Sequence, residues 1–277
     1  MSVTWRSGAP PPVVPRGAGH WPRVALRGTL LMLLLLAGVL VTLPLRLIER
    51  PVYGQHRPWT PSITKWVSRC VFAILGMAHR IEGQPMTGPG AVVCNHVSWL
   101  DIFALNARKR VYFVSKSEVA GWPGIGALAR LTGTVFIKRD RREARGQTTI
   151  FAERLGLGHR LLFFPEGSST DGMRVLSFKS TLFEAFFTLN KAQTMQVQPV
   201  TVIYRAPSDQ DRRFYGWWGD MSFGGHLVQV LGAARQGGVT LLYHAPLRVT
   251  DFTDRKALAA AAEAAVRGGM PQDRRGV

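Results

Sequence analysis

Apolar positions fall into three regimes along the chain. From Gly28 to Leu45 a Leu-dominated run carries no charge. Its length, about 18 residues, is at the lower limit for crossing the hydrocarbon of a bilayer. From Thr60 to about Arg80 the pattern is helical. Ile63, Trp66, Val67, Cys70, Val71, Ile74 and Leu75 make one stripe, with Lys65, Ser68 and Arg69 off it. Thr60-Pro61 reads as its N-cap and first helical residue. From Gly83 onward short apolar runs alternate with helical stretches. Strands are predicted at Ala91–Cys94, Val111–Ser115, Thr134–Ile137, Arg160–Phe164, Val197–Ile203 and Val239–Tyr243. Helices are predicted at Leu100–Ala107, Ile125–Leu131, Arg141–Leu157, Phe178–Leu189 and Arg255–Val266.

Such alternation predicts an α/β fold with a largely parallel sheet flanked by helices. A membrane-associated helical hairpin precedes it, although the second stripe alone also fits an ordinary core helix. The expected division is a disordered Pro-rich tail at 1–23, a two-helix membrane segment at 24–82, the α/β domain at 83–250 and a C-terminal helix and tail at 251–277. No internal repeat is evident.

Charge narrows the partners. The chain has 35 Lys+Arg against 17 Asp+Glu, a formal net charge of +18. That excess points to a polyanion: nucleic acid, anionic lipid or a phosphorylated substrate. Arg6, Arg16, Arg23 and Arg27 precede the apolar run, and no acid appears before Glu49. A signal peptide shares this layout, but Arg46, Glu49 and Arg50 make a poor cleavage context. An anchor on an anionic membrane surface is the better reading. The stretch Arg212 to Trp218 interleaves arginines with aromatics, which suits nucleic-acid stacking or a membrane interface equally. With the apolar run beside it, no nucleic-acid partner is expected. Cys70 and Cys94 lie in apolar runs, fitting a reducing compartment, and no cluster suggests zinc or another metal.

Candidate chemistry follows the strands. His96 and Asp101 cannot face each other on one helix, because five residues turn about 500°. They can meet if His96 sits in the loop after Ala91–Cys94 and Asp101 in the first turn of the next helix, where Ser98 and Asp101 form a capping pair. An imidazole held by a carboxylate is a general base. In isolation the same pair is more often structural. Glu166, Gly167, Ser168 and Ser169 follow the buried run ending at Phe164, offering close backbone approach, hydroxyls and N–H groups, or simply a tight turn. Arg139 and Arg142 follow Thr134–Ile137 and suit a phosphate, or a solvated helix start. Pro199 within Val197–Ile203 predicts an edge or the start of a strand. In parallel sheets, ligands bind beyond the carboxyl ends of strands, so these groups should converge there.

Four blocks in order, Asn95-His96-x-x-x-x-Asp101, Phe136-Ile137-x-Arg139, Phe164-Pro165-Glu166-Gly167 and Val197-x-Pro199-Val200, resemble the glycerolipid acyltransferase family, in the manner of 1-acylglycerol-3-phosphate acyltransferases. The resemblance covers Asn95 to Val200. It implies a membrane-bound O-acyltransferase of lipid biosynthesis, without cofactor, moving an acyl group from acyl-CoA or acyl-carrier protein to a lysolipid hydroxyl. His96 and Asp101 would be catalytic. Asn95, Arg139, Arg142, Glu166, Gly167, Ser168 and Ser169 would bind substrate. Ser169 stands where phosphatidate-forming members usually carry arginine. The stretch Asn95 to Asp101 with Tyr112 to Gly126, and Ser169-Thr170-Asp171-Gly172, resemble the lyso-ornithine lipid acyltransferase branch, whose acceptor hydroxyl lies on a 3-hydroxyacyl chain. The expected location is the inner membrane, with the domain facing the cytoplasm. The competing class is a membrane-associated nucleic-acid or lipid-binding protein without catalysis.

Overall fold

A computed structural model describes residues 4–12, 17–137, 144–188 and 195–275. Helix α1 (His20–Tyr53) contains the apolar run and extends well beyond it at both ends. Helix α2 (Thr60–Leu75) folds back along it. Glu49 locks the turn between them. Its carboxylate accepts from the N–H groups of Trp59 and Thr60 and from the Thr60 hydroxyl, at 2.7–2.9 Å. α2 ends with its apolar stripe at Leu75, short of the helix expected to about Arg80. Gly76 takes φ +69°, a left-handed cap that ends the helix. The following residues become β1 (Ala78–Glu82), an edge strand too polar to announce itself.

The remaining strands are β2 (Gly90–Cys94), β3 (Tyr112–Lys116), β4 (Val135–Ile137), β5 (Leu161–Phe163), β6 (Gln196–Arg205), β7 (Gly238–Tyr243) and β8 (Leu247–Arg248). Their order is β1-β7-β6-β2-β5-β3-β4, with β8 also on β6. Strands β6, β2, β5, β3 and β4 pair in parallel, and β7 and β8 run antiparallel to β6. Side chains alternate between two cores, Val92, Cys94 and Leu162 on one face, Ala91, Val93, Leu161 and Phe163 on the other. Helices α2, α3 (Leu100–Arg108) and α7 (Phe223–Gly232) cover the first. Helices α5 (Ala144–Gly156), α6 (Glu184–Phe187) and α8 (Arg255–Gly268) cover the second. Helix α4 (Ile125–Leu131) joins β3 to β4.

Two expectations are corrected. Pro199 lies in the sheet interior, on β6 with β2 beside it. The proline is tolerated because β8 pairs only as far as Val197 and β7 begins at Val200, so Gln198-Pro199 faces a break between them. The helix expected over Phe178–Leu189 reduces to a 3-10 turn, Ser180–Phe183, and the single turn of α6. Helix α7 was not foreseen: Gly224, Gly225 and Gly232 weaken its helical signal.

Candidate active site

The site forms where β2 and β5 end. After Cys94 the chain turns so that His96 and Asp101, in the first turn of α3, meet. His96 Nδ1 lies 2.7 Å from Asp101 Oδ2. The same oxygen accepts from the N–H groups of Val97 and Ser98 at 2.8 and 3.0 Å. Tyr204, on β6, donates its hydroxyl to Oδ1 at 2.7 Å. Asp101 is fully buried, and donors face both of its oxygens. Nδ1 therefore carries the proton, and Nε2 is left as a base. No partner lies on Nε2 among the described residues, and the imidazole keeps 21% of its surface exposed. Phe164 stacks on the ring at 3.9 Å, nearly parallel, which fixes its plane. The Ser98 hydroxyl does not cap α3 as expected. It is buried without a hydrogen-bond partner, and only the return bond from its N–H to Asp101 forms.

The second loop supports the first. Glu166 is buried, with one oxygen on the His96 N–H at 2.6 Å and the other on the Leu176 N–H at 2.7 Å. It braces the base-bearing loop. Burial pushes its carboxyl up to about 8, against the pull of those two N–H groups. An unfolded carboxyl ionises near 4.5. Between those values the native state holds a proton that the unfolded state has released, so this group lowers stability as pH rises. Glu166→Gln has no such proton. Its melting temperature should gain on wild type progressively from pH 5 to pH 8; a constant difference across that range would contradict the assignment.

Gly167 makes the turn at φ +76°. The Ser168 hydroxyl accepts the N–H of Trp5, and the Ser169 hydroxyl donates to the Trp217 carbonyl. Thr170 donates its N–H to the His96 carbonyl at 2.9 Å, tying the two loops together. Asn95 is fully buried and spends its amide on both backbone groups of Val202. Asn95 and Glu166 thus hold the frame, while Ser168 and Ser169 border the opening. Arg139 and Arg142 lie outside the described residues. Cys94 is fully buried, and burial with Asp101 and Glu166 nearby pushes its thiol well up, so it is no nucleophile.

Sequence reading missed two contributors. Tyr204 reaches Asp101 from 103 positions along the chain, with no local signal. Trp5, in the tail expected to be disordered, packs beside Trp218 with the Arg174 guanidinium over its ring. Thr4–Pro12 thereby flanks the Ser168 loop, leaving a groove of about 350 Å³ bordered by Arg6, Pro10, Trp218 and Asp220.

Residues 78–203 match the Acyltransferase family model. The chain is 57% identical over 268 residues to lyso-ornithine lipid O-acyltransferase of Rhodobacter capsulatus, covering 97% of each. It belongs to the acyltransferase family. A 1-acyl-sn-glycerol-3-phosphate acyltransferase of Neisseria meningitidis is 41% identical over 122 residues, 43% of this chain and 48% of that protein. The crystal structure of the 1-acyl-sn-glycerophosphate acyltransferase of Thermotoga maritima superposes with a TM-score of 0.57 at 21% identity, covering 88% of this chain and 95% of that one. That likeness bears on the fold: a mixed α/β sheet behind a long apolar helix. The protein is a membrane-associated acyltransferase of lipid biosynthesis.

Proposed function

We propose that the protein acylates the hydroxyl of lyso-ornithine lipid, with an acyl thioester of CoA or acyl-carrier protein as donor. The observation that carries the chemistry is His96 held by buried Asp101, with no partner on Nε2 among the described residues. In this reading Nε2 removes the acceptor hydroxyl's proton, and the oxygen attacks the thioester carbonyl. The tetrahedral intermediate collapses, breaking the carbon–sulfur bond, and the thiolate takes the proton back from His96. Gly167 and Thr170 have spent their N–H groups on Phe164 and His96 carbonyls. The N–H groups of Ser168 and Ser169 have no acceptor among the described residues and are the candidates for the oxyanion.

Support for this acceptor comes from the near-full-length similarity to a protein of that name and from Ser169. A phosphate-bearing acceptor favours a guanidinium at that position. Here a short hydroxyl occupies it and is turned onto the Trp217 carbonyl. Deleting the gene and profiling lipids tests the acceptor. Loss of ornithine lipid with accumulation of its lyso form is expected, restored by the wild-type gene but not by His96→Ala. Accumulation of lysophosphatidate instead would favour the glycerolipid reading.

In the same reading the domain lies on the cytoplasmic face of the inner membrane, where both thioester donors occur, with the basic excess attracted to anionic headgroups. Helix α1 is long and apolar enough to cross a bilayer, yet both of its ends grip the same domain. Near its start, Arg23 and Arg27 donate to the carbonyls of Leu231, Gly232 and Ala233 at the end of α7. Just beyond its end, Arg57 donates to the Leu131 carbonyl at the end of α4. Its 34 residues rise about 51 Å. A crossing helix would leave α7 and α4 on opposite sides of a layer about 30 Å thick. The helix therefore lies along one leaflet, with Leu26, Leu33, Leu40 and Leu47 turned out into lipid. Single cysteines at Ala18 and Gln55 should both be labelled by an impermeant maleimide from the cytoplasmic side. Labelling of one from each side would establish a true span.

A further inference from the structure

A second constellation lies at the elbow of the hairpin, on the opposite edge of the sheet from His96. Strands β2, β5, β3 and β4 are parallel, with His96 beyond the end of β2 and these groups before the starts of β5, β3 and β4. Arg46 comes from α1, Arg57 from the turn after it, Arg154 from α5 and His159 from the approach to β5. Arg57 donates to the Leu131 carbonyl at 2.6 Å, and Arg154 donates to the Gly133 carbonyl at 2.9 Å. One short turn thus pins two guanidiniums. Tyr112 floors the cluster, with Arg154 5.0 Å over its ring and the His159 ring 4.3 Å away. Burial, with neighbouring cations adding to it, lowers Arg57 to about 10 and His159 to about 4. Three guanidiniums therefore face one nearby carboxylate. That is Glu49, which already caps α2 and lies 3.6 Å from Arg46.

One donor is left over. Arg154 Nε donates to His159 Nδ1 at 2.8 Å, so His159 carries its proton on Nε2. That N–H is buried without a hydrogen-bond partner among the described residues, in a residue only 4% exposed. Arg46 Nη1 is buried too and is only loosely paired, with Glu49 Oε2 3.6 Å away, beyond hydrogen-bond distance. Buried donors normally have partners, and an orphaned N–H beside excess positive charge calls for an anion. The surroundings say which kind. Tyr53 and Trp59 pack edge to face at 5.4 Å beside the elbow, and both are exposed. Exposed Tyr and Trp rings next to an apolar helix mark the depth of lipid headgroups.

We propose that Arg46, Arg57, Arg154 and His159 form a binding site for the phosphate group of a membrane phospholipid, separate from the catalytic centre. Phosphate oxygens would accept from His159 Nε2, from Arg46 Nη1 and from the remaining N–H groups of Arg57, while the acyl chains lie along α1. The lipid is held, not consumed, and sets the tilt of the domain on the bilayer.

Native mass spectrometry of the full-length protein in mild detergent tests this. With phosphatidylglycerol added, wild type should retain one phospholipid per chain, and diacylglycerol should not be retained. Arg57→Gln and Arg46→Gln should each lower retention at least tenfold while acyl transfer in detergent stays within threefold of wild type, which also reports intact folding. Arg46 lies on the helix, away from the β4 turn, so it serves if Arg57→Gln misfolds. Equal retention by wild type and variants, or equal retention of diacylglycerol, would overturn the site. Displacement of the lipid by millimolar inorganic phosphate would overturn the lipid assignment in favour of a free-phosphate site.

Discussion

His96→Ala is expected to lower acyl transfer by about 10²–10⁴-fold, the range for loss of a positioned general base, while folding and membrane association persist. The imidazole contributes little architecture. Its side chain touches Asp101 and Phe164, whereas the bonds that shape the loop belong to the backbone: the His96 N–H to Glu166 and the His96 carbonyl to Thr170. Alanine keeps both. Asp101 would still accept from Val97, Ser98 and Tyr204, so no buried charge is stranded. Cys94 cannot substitute, being sealed in the core with its thiol pushed up. Turnover by the purified protein, with vesicle flotation alongside, checks the expectation. Near-normal turnover would remove His96 from the mechanism, and loss of flotation would show that the substitution had disturbed more than the base.

The part of the site legible in the sequence is the part built locally. His96 and Asp101 are five residues apart, and a strand, a loop and the start of a helix bring them together without help from distant chain. The Glu166–Ser169 turn was legible for the same reason. Its finer role was not, because whether a carboxylate faces substrate or backbone depends on where a second loop passes. Tyr204 was invisible because its alternation within β6 marks it only as a core residue. The parallel strands were read from uninterrupted apolar runs, which burial on both faces produces. β1 escaped because Ala-His-Arg-Ile-Glu pairs on one side only and carries polar side chains outward. The extent of α1 escaped as well. The apolar run marks what faces lipid, whereas the helix continues through His20 to Arg27, where its arginines turn back onto the α7 carbonyls.

Asp101→Asn is expected to cost about 10²-fold in turnover, toward the low end for misoriented or uncompensated bases. The local donors decide why. Val97 and Ser98 both aim N–H groups at the Oδ2 position, so the asparagine oxygen must sit there, since its NH₂ would face two donors. That oxygen still accepts from Nδ1 of His96, and the imidazole keeps Nε2 unprotonated. The NH₂ turns to Tyr204, whose hydroxyl can accept as well as donate. What is lost is the negative charge that stabilises the imidazolium formed during proton transfer. Tyr204→Phe keeps the charge and removes one donor, with an expected loss of about 1–3 kcal/mol in the stability of the buried site and a smaller effect on turnover than Asp101→Asn. Tyr204→Phe strands a carboxylate oxygen in the wild type but a neutral amide NH₂ in Asp101→Asn, and the neutral group costs less to leave unpaired. The double variant should therefore be more stable than the sum of the two single losses predicts, measured as denaturant midpoints. If the losses simply add, the amide does not face Tyr204, and the tautomer argument for the milder Asp101→Asn effect falls with it.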